Sequence, residues 1–280
     1  MEENLIDRLI DLAIAEDIGD GDHSSLSCIP KNSKGKVQLM VKQQGIIAGV
    51  EIAKRIYNRL DSSIVFEPLI KDGTPVSMGD YVFYATGKIH ALLQSERIVL
   101  NVIQRMSGIA TQTNRYVKKI EGTKAKILDT RKTTPGMRVL DKIAVKIGGG
   151  ENHRMGLFDM IMLKDNHIDF AGGIENAIQK ANDYLIKTGR KLGIEVETRN
   201  LNEVERVLAV GGVQRIMLDN YNLANTREAV KLISGRFETE SSGGINLETV
   251  RDYAECGIDY ISVGAITHQI QSIDMNLKKV

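Results

Sequence analysis

The sequence predicts a two-part α/β protein, with a small α+β region in its first third and repeated βα units after it. In the first third, short alternating runs lie between turn-forming residues, as half-buried strands do. In the remainder, short apolar runs alternate with segments of helical periodicity. The 280 residues are enough for one large α/β domain or for a barrel plus a smaller domain.

The elements of the first third follow from periodicity. Apolar residues at helical spacing over 4–16 predict an amphipathic helix. Alternation over 37–42, the run 64–69 and the aromatic run 81–84 predict three strands, separated by Asp-Gly and Gly-Asp turns. These elements predict a small sheet with helices packed on it.

A long helical pattern over 91–120 follows, and Ser107-Gly108 predicts a break in it. We place a domain boundary at this point. Strand-like runs and amphipathic helices then alternate. The predicted strands are 125–128, 160–163, 194–196, 215–218, 237–240 and 260–263. Such βα units build either an open doubly wound sheet or a closed barrel, and the pattern leaves both open.

Polar residues or glycines follow every one of these strands. The carboxyl ends of parallel strands meet at one edge of a sheet, which is where α/β enzymes carry their chemistry. The residues at these ends are 129–132, 164–167, Glu197, 219–220, 241–244 and 264–265. The sequence therefore predicts one site that collects these residues.

Charge is balanced over the chain but not along it. Lys and Arg number 37 against 36 Asp and Glu, a net charge of +1, so we expect neither nucleic acid nor a membrane surface as partner. Segment 124–164 carries a surplus of five positive charges. We expect part of this surplus to be a solvated face, formed by Lys124, Lys126, Lys142 and Lys146. The remaining candidates, Arg131, Lys132, Arg154 and Lys164, predict a site for a small polyanion.

Two glycine junctions predict a phosphate site. Ser242-Gly243-Gly244 follows one strand and precedes a predicted helix over 246–256, and Val263-Gly264-Ala265 follows the next strand. Backbone N–H groups and helix dipoles at such junctions bind anions. Glu197 and Asp219, at the ends of neighbouring strands, are candidates for ribose hydroxyl acceptors or for Mg²⁺ ligands shared with substrate phosphates.

Cysteine and histidine usage adds little further chemistry. Cys28 and Cys256 are far apart and match no metal-ligand spacing, which predicts neither disulfide nor zinc and favours a reducing compartment. The acidic first residues do not resemble a signal peptide, and no apolar run reaches the length of a membrane span, so we expect a cytoplasmic protein. We assign His23 and His90 to structure and His153 to the cationic site, and leave His167 and His268 open.

Long motifs, in order, resemble the quinolinate phosphoribosyltransferase family. They cover 15–22, 95–111, 128–138, 148–154, 163–168, 195–197, 217–220, 242–245 and 261–265. The resemblance implies an amino-terminal α/β sandwich domain plus an incomplete, TIM-like α/β barrel. We expect the sandwich to comprise 1–106, joined by 267–280, and the catalytic barrel to comprise 107–266. It also implies transfer of phosphoribose from phosphoribosyl pyrophosphate to quinolinate, giving nicotinate mononucleotide, pyrophosphate and CO₂ with Mg²⁺.

The same resemblance implies roles for single residues. Quinolinate is expected to be held by Arg105, Thr130, Arg131, His153, Arg154 and Lys164. The phosphoribosyl group and its metal are expected to face Lys132, Glu197 and Asp219, which are the catalytic candidates. The 5′-phosphate is expected at Ser242, Gly243, Gly244, Val263, Gly264 and Ala265. Arg105 is expected to act in the neighbouring subunit's site, which implies a homodimer and leaves a higher oligomer open.

Three alternatives remain. A paralogue of the same fold, associated with molybdenum transport, would take a different acceptor. Its site would need fewer cations than this sequence offers, which argues against it. Lys164 beside other cations could be the Schiff-base lysine of an aldolase. A phosphometabolite-binding regulator would need a segment to transmit its signal, and the chain shows no basic tail for one. Two departures from the family pattern, Thr198-Arg199 and Ser241, touch no assigned residue, although Arg199 could perturb Glu197.

Overall fold

A computed structural model describes residues 2–280; Met1 and the side chain of Glu2 lie outside the described residues. The strands are β1 (Lys34–Val41), β2 (Gly45–Ile46), β3 (Val65–Pro68), β4 (Pro75–Val76), β5 (Tyr81–Lys88), β6 (Lys126–Leu128), β7 (Met160–Leu163), β8 (Gly193–Thr198), β9 (Arg215–Asp219), β10 (Glu238–Ser242), β11 (Tyr260–Ser262) and β12 (Met275–Lys279). The helices are α1 (Glu2–Ile18), α2 (His23–Cys28), α3 (Val50–Leu60), α4 (Ile89–Lys119), α5 (Arg138–Ile147), α6 (Asp165–Ala171), α7 (Ile174–Thr188), α8 (Leu201–Val210), α9 (Leu223–Ile233), α10 (Val250–Ala254) and α11 (Ala265–His268). Among these helices, none is long and apolar enough to cross a membrane.

The first of two compact units comprises Met1–Asn114, Thr133–Gly149 and Ile266–Val280. Its main sheet is antiparallel, in the order β12-β1-β5-β3, so the last strand of the chain pairs with the first. Helix α3 places Tyr57 against Phe83, at 6.0 Å between ring centroids, and Phe66 lies 4.7 Å from Phe83. The three rings pack on one another in the apolar interior of the unit. Aromatic pairs of this kind bury a large apolar area and so stabilise the unit.

The second unit comprises Arg115–Lys132 and Gly150–Ala265. Its sheet has six parallel strands in the order β6-β11-β10-β9-β8-β7, which leaves β6 and β7 as edges. Glu151 bridges to Leu128 of β6, and the Arg154 guanidinium donates to the carbonyl of Met160 in β7 at 3.2 Å. The segment 151–154 therefore spans from one edge strand to the other, and the unit is the expected incomplete α/β barrel.

The contacts divide the chain differently from the predicted domain bounds of 1–106 with 267–280 and 107–266. Residues 107–114, at the middle of α4, and 133–149, which include α5, both belong to the first unit. Helix α5 lies against α1 within that unit. The prediction of Lys142 as a solvated side chain is wrong, because Lys142 is buried on α5 with 1% of its surface exposed.

The predicted helix break at Ser107-Gly108 is also wrong, because α4 runs through both residues. The Ser107 hydroxyl accepts the Ala48 N–H at 2.9 Å and donates to the Ala48 carbonyl at 3.2 Å. A Cβ at Gly108 would collide with the Gln271 carbonyl. Small residues here allow two backbone segments to approach the helix, which is a packing requirement and not a helix-ending one.

The helix predicted over 246–256 is much shorter, since α10 begins only at Val250. The Asn246 side-chain oxygen accepts the N–H groups of Glu248 and Thr249 at 3.0 and 3.1 Å. Asparagine side chains compete in this way with helical hydrogen bonding and favour turns. Turns therefore replace the first part of the predicted helix.

Candidate active site

The parallel sheet brings most of the predicted site residues to one edge. The ends of β10 and β11 lie side by side, and Ser242 of β10 pairs in register with Asp219 of β9. Glu197 lies on the next strand, β8, and Lys164 follows the last strand, β7. The edge thus presents, in sequence, two glycine junctions, two carboxylates and a lysine.

Lys164 and Glu197 form the central ion pair of this edge. The ammonium nitrogen lies 3.1 Å from Glu197 Oε2; the lysine side chain is 46% exposed and that of the glutamate 10%. The backbone N–H of Lys164 donates to His167 Nδ1 at 3.0 Å, where α6 begins. His167, left open above, therefore has a structural contact that fixes the backbone of the lysine. The pair keeps a charged ammonium in contact with a carboxylate, at a position that a substrate can reach.

The first glycine junction is built around Asn220. This residue has a left-handed backbone, with φ +56°, its N–H donates to the Ser242 carbonyl at 2.8 Å, and its amide donates to Asp219 Oδ2 at 2.7 Å. Gly243, with φ +99°, faces it so closely that a Cβ would collide with the Asn220 side chain. Glycine is needed here because no other residue combines that φ with that approach. The junction also orients the Asp219 carboxylate.

The helix-dipole part of the phosphate prediction does not hold at this junction. Helix α10 begins at Val250, six residues after Gly244. At the second junction α11 follows Gly264 directly but has only four residues, Ala265–His268. An anion at either junction would therefore be bound by backbone N–H groups of the glycine loops.

The predicted cations follow β6, the outer strand on the opposite side of the sheet from β7. The N–H of Val263 donates to the Leu128 carbonyl at 2.9 Å, which joins the second glycine junction to the end of β6. The Thr130 hydroxyl accepts the Lys132 N–H at 3.1 Å and shapes the turn that exposes Lys132 and Arg131. The turn thus presents two cations at the carboxyl ends of the strands, where the glycine junctions also lie.

His153 and Arg154, unlike these two cations, are both buried. The buried carboxylate of Asp129 accepts the His153 N–H at 2.9 Å, and the Arg154 N–H donates to His153 Nδ1 at 2.6 Å. Burial lowers the pKa of Arg154, and repulsion from Arg131 adds to this effect. The guanidinium groups of Arg131 and Arg154 therefore repel one another at this side of the sheet.

The sequence analysis missed three buried charged residues inside the strands: Glu195 on β8, Arg215 on β9 and Glu240 on β10. His153 Nε2 lies 2.9 Å from Glu195 Oε2 and 3.5 Å from Glu240 Oε2. Arg215 contacts Glu240 at 2.9 Å. Burial raises the pKa of both glutamates, and the charge of Glu195 raises the pKa of Glu240 further. The histidine ring thus faces buried carboxylates.

A sequence signal for these residues existed. Side chains two positions apart on a strand point to the same side of the sheet. Glu195 stands two residues before Glu197, and Glu240 two before Ser242. Charged residues at that spacing behind a predicted site indicate that the polar face continues into the sheet.

Two groups of ligand atoms could attract a cation. His153, Glu195 and Glu240 bring one ligand atom each within 4.8 Å of one another, but the Arg215 guanidinium already supplies positive charge there. Glu197 and Asp219 offer hard carboxylate oxygens on adjacent strands. Mg²⁺ binds through one or two carboxylates and keeps its other positions for substrate oxygens and water. The second pair fits Mg²⁺.

Two residues that the sequence analysis singled out have partners outside the predicted site residues. Arg105 belongs to α4 in the first unit, where Asp141 accepts from its Nε and Nη2, both at 2.9 Å. Arg199 does not contact Glu197 through its charge, because its guanidinium is paired with Glu203 at 2.7 Å and Asp169 at 3.5 Å. The departure at 199 therefore has a local partner on each neighbouring helix.

The sequence matches a known family along nearly its whole length. Residues 22–107 match the family model "Quinolinate phosphoribosyl transferase, N-terminal domain", and residues 109–278 match the corresponding C-terminal domain model. "Quinolinate phosphoribosyltransferase (decarboxylating) 1b" of Nicotiana tabacum is 44% identical over 285 residues, covering 96% of this chain and 81% of that one. "Probable nicotinate-nucleotide pyrophosphorylase (carboxylating)" of Bacillus subtilis is 40% identical over 270 residues, covering 96% and 92%.

The fold is similar to solved structures of the same group. The crystal structure of NadC from Streptococcus pyogenes superposes with a TM-score of 0.92 at 38% identity, covering 98% of this chain and 97% of that chain. The nicotinate-nucleotide pyrophosphorylase from Francisella tularensis gives the same TM-score at 37% identity. Sequence and fold therefore indicate the same relatives.

Proposed function

This chain belongs to the quinolinate phosphoribosyltransferase family, and we propose that its second unit joins quinolinate to phosphoribosyl pyrophosphate with loss of CO₂. The products are nicotinate mononucleotide, pyrophosphate and CO₂, in a step of NAD biosynthesis. The relatives carry this activity in their names. All predicted site residues except Arg105 lie in this unit.

The observation that carries the proposal is the order of charges along the carboxyl edge of the six-stranded sheet. Cations end both edge strands, with Arg131 and Lys132 after β6 and Lys164 after β7. The glycine loops and the carboxylates of Glu197 and Asp219 lie on the strands between them. This order suits two anionic molecules that must meet: a dicarboxylate at the cations and a sugar phosphate over the glycines and carboxylates.

The chemistry requires alignment more than proton transfer. The pyridine nitrogen of quinolinate attacks C1′ as the bond from C1′ to pyrophosphate breaks, and positive charge develops on the ribose ring. Glu197 and Asp219 stabilise this charge, which exists only in the transition state. Holding both substrates in line contributes several kcal/mol, of the ~7–11 kcal/mol that well-oriented reactions gain.

Decarboxylation then proceeds on the pyridinium product. The bond between C2 and its carboxylate breaks, CO₂ leaves, and the electron pair remains at C2 beside the positively charged ring nitrogen, where it takes up a proton. The cations of Arg154 and Lys164 hold the substrate carboxylates. Lys132 acts as an electrostatic group near the departing pyrophosphate, and no general base is required.

We also propose Mg²⁺ as the metal, held by Glu197 and Asp219 together with substrate oxygens. Magnesium would neutralise charge on the pyrophosphate leaving group. Support comes from the oxygen donors on adjacent strands, which leave coordination positions open. Lys164, which contacts Glu197 at 3.1 Å, would share that carboxylate with the metal.

We propose a homodimer in which Arg105 serves the neighbouring subunit's site. Asp141 holds the Arg105 guanidinium by two hydrogen bonds, and 21% of the Arg105 side chain is exposed to reach a partner. Arg105→Ala and Lys164→Ala, each expected to lose most of its activity, should then regain activity when mixed and allowed to exchange subunits. No recovery after verified exchange would count against the shared site.

A reducing compartment such as the cytoplasm is proposed on the basis of free cysteines, Cys28 and Cys256. Some plant relatives are named chloroplastic or mitochondrial. Fractionation of the source cells with an antibody to this chain tests the compartment, and recovery in an oxidising compartment would contradict it.

The direct test of the function uses purified protein with quinolinate, phosphoribosyl pyrophosphate and Mg²⁺. We expect nicotinate mononucleotide by chromatography, and no product when either substrate is left out. No product at saturating substrates would overturn the proposal. The aldolase alternative predicts that borohydride traps a carbonyl substrate on Lys164. Labelling of Lys164 in that experiment would overturn the proposal.

A further inference from the structure

A buried ionic cluster lies behind the active site, formed by Glu195, Arg215 and Glu240. Both glutamates are fully buried, and 11% of the Arg215 side chain is exposed. Arg215 pairs in register with Glu195 on one side and with Glu238 on the other. Its guanidinium also lies over the Tyr260 ring, 4.1 Å from the centroid. The cluster therefore has a fixed position in the sheet.

The buried cluster contacts the site through His153. Because His153 Nδ1 accepts the Arg154 N–H, the ring carries its proton on Nε2. Nε2 faces Glu195 at 2.9 Å and Glu240 at 3.5 Å. The two carboxylates thus act on the ring by charge at these distances, and the ring in turn accepts the backbone N–H at which the Arg154 side chain begins.

Arg154 is held at its far end as well, by the hydrogen bond from its guanidinium to the Met160 carbonyl. Its position is therefore determined from both ends, by His153 and by β7. A guanidinium that donates two hydrogen bonds to one carboxylate binds it more tightly when the position of the guanidinium is fixed in advance.

Stability alone does not account for the buried cluster. Removing carboxylates and a guanidinium from water is costly, and apolar residues of similar volume are often as stable or more stable. The cluster places negative charge next to His153 Nε2, which apolar residues could not supply.

We propose that the buried cluster positions His153 and Arg154 for the carboxylates of quinolinate, and so determines the affinity for this substrate and not for phosphoribosyl pyrophosphate. Glu195, Arg215 and Glu240 are positioning residues in this account. The inference rests on the proposed function, since it assigns Arg154 to quinolinate.

The test compares Glu240→Gln with Glu238→Gln. Both glutamates lie on β10 and both contact Arg215, at 2.9 and 3.0 Å, but Glu238 is half exposed and does not face His153. Glu195→Gln is a second variant, which changes the contact with His153 directly. Steady-state kinetics with each substrate, calorimetric titration with quinolinate and a thermal midpoint are measured for all three variants and the wild type.

We expect Glu240→Gln and Glu195→Gln to raise KM and Kd for quinolinate by about 10-fold or more, as loss of a supporting partner does for other positioned ligands. KM for phosphoribosyl pyrophosphate should stay within about twofold, and Glu238→Gln should leave every constant within about twofold.

Other results overturn the inference. An equal rise in both KM values, or a lower thermal midpoint with unchanged quinolinate affinity, would make the cluster purely structural. Failure of both Glu240→Gln and Glu195→Gln to fold while Glu238→Gln folds would do the same. Failure of the proposed function is a separate result, because the wild type itself would then form no product.

Discussion

The sheets of the two units both bury aliphatic side chains but differ in what else they bury. In the first unit, aromatic rings of Tyr57, Phe66 and Phe83 pack on one another at the antiparallel sheet. In the second unit, the parallel sheet buries the charged side chains of Glu195 and Glu240 at 0% exposure. Apolar burial stabilises a fold, whereas buried charge is costly unless it is paired. The difference indicates that the first sheet contributes mainly stability and the second mainly the site.

The largest expected effect is on the stability of the first unit. Phe83 is fully buried between Phe66 and Tyr57, so Phe83→Ala removes the centre of this packing. We expect a loss of about 3–5 kcal/mol in the free energy of unfolding, measured by denaturant titration. Phe237→Ala is the control, since Phe237 is not part of this aromatic group. An equal loss in both variants would contradict the contrast between the sheets.

Lys164→Ala should have the reverse character, with a large effect on activity and a small one on stability. Lys164 is half exposed, so its removal leaves the packing intact, but it takes away the cation that contacts Glu197. We expect kcat/KM to fall by about 10²–10³-fold, the loss typical of one electrostatic group at a reacting centre. Thermal unfolding should remain close to that of the wild type.

Lys124→Ala is the matched control for Lys164→Ala. Lys124 also contacts a carboxylate, Asp259, at 2.6 Å, but at the amino end of β6 and β11, and it is 58% exposed. Its removal should leave kcat/KM within about twofold. A similar loss of activity in both variants would show that a lysine at the carboxyl edge matters no more for activity than one at the amino edge.

Gly243→Ala tests whether the glycine junction requires close approach as well as a positive φ. Gly122 has φ +84° with open space around it, whereas Gly243 has φ +99° and faces Asn220. Both alanine variants incur backbone strain, but only Gly243→Ala adds a collision. We expect it to be less stable than Gly122→Ala by about 1–3 kcal/mol in chemical denaturation. Equal stability would show that the junction is open.

The smallest expected effect is on the pH dependence of stability. Glu240 is buried and faces Glu195, His153 and Arg215, and burial raises its pKa from the ordinary 4.5. Above pH 4.5 the folded state holds a proton that the unfolded state has lost, so stability falls as pH rises through the raised pKa. Glu240→Gln should flatten the fall by at most about 1.4 kcal/mol per pH unit. Unfolding titrations at several pH values measure it, and identical slopes would contradict it.

The sequence was sufficient for the six strands of the second unit, whose predicted bounds agree with β6–β11 within two residues. Apolar runs with turns between them give a strong local signal, and parallel pairing then gathers the strand ends at one edge. That is why Lys164, Glu197 and Asp219 could be placed on one edge before the structure was known. Their roles stay predictions.

Long-range packing could not be predicted in the same way. Gly108 resembles a helix breaker in sequence, yet the requirement it meets comes from Gln271, 163 positions later in the chain. Local hydropathy averages over a whole strand, so the predicted apolar strands hid three charged residues, Glu195, Arg215 and Glu240. The two-residue spacing of Glu195 from Glu197 and of Glu240 from Ser242 indicates the shared face, and the strand register adds that Arg215 lies beside Glu195.

The central claim, that the charged sheet of the second unit couples phosphoribosyl transfer to decarboxylation, is tested most directly by stoichiometry. Quinolinate labelled in its 2-carboxylate is incubated with phosphoribosyl pyrophosphate, Mg²⁺ and the purified protein, and labelled CO₂ and pyrophosphate are measured over time. We predict equal molar amounts of both, and neither in the absence of phosphoribosyl pyrophosphate. Release of one without the other, or of neither at saturating substrates, would contradict the account.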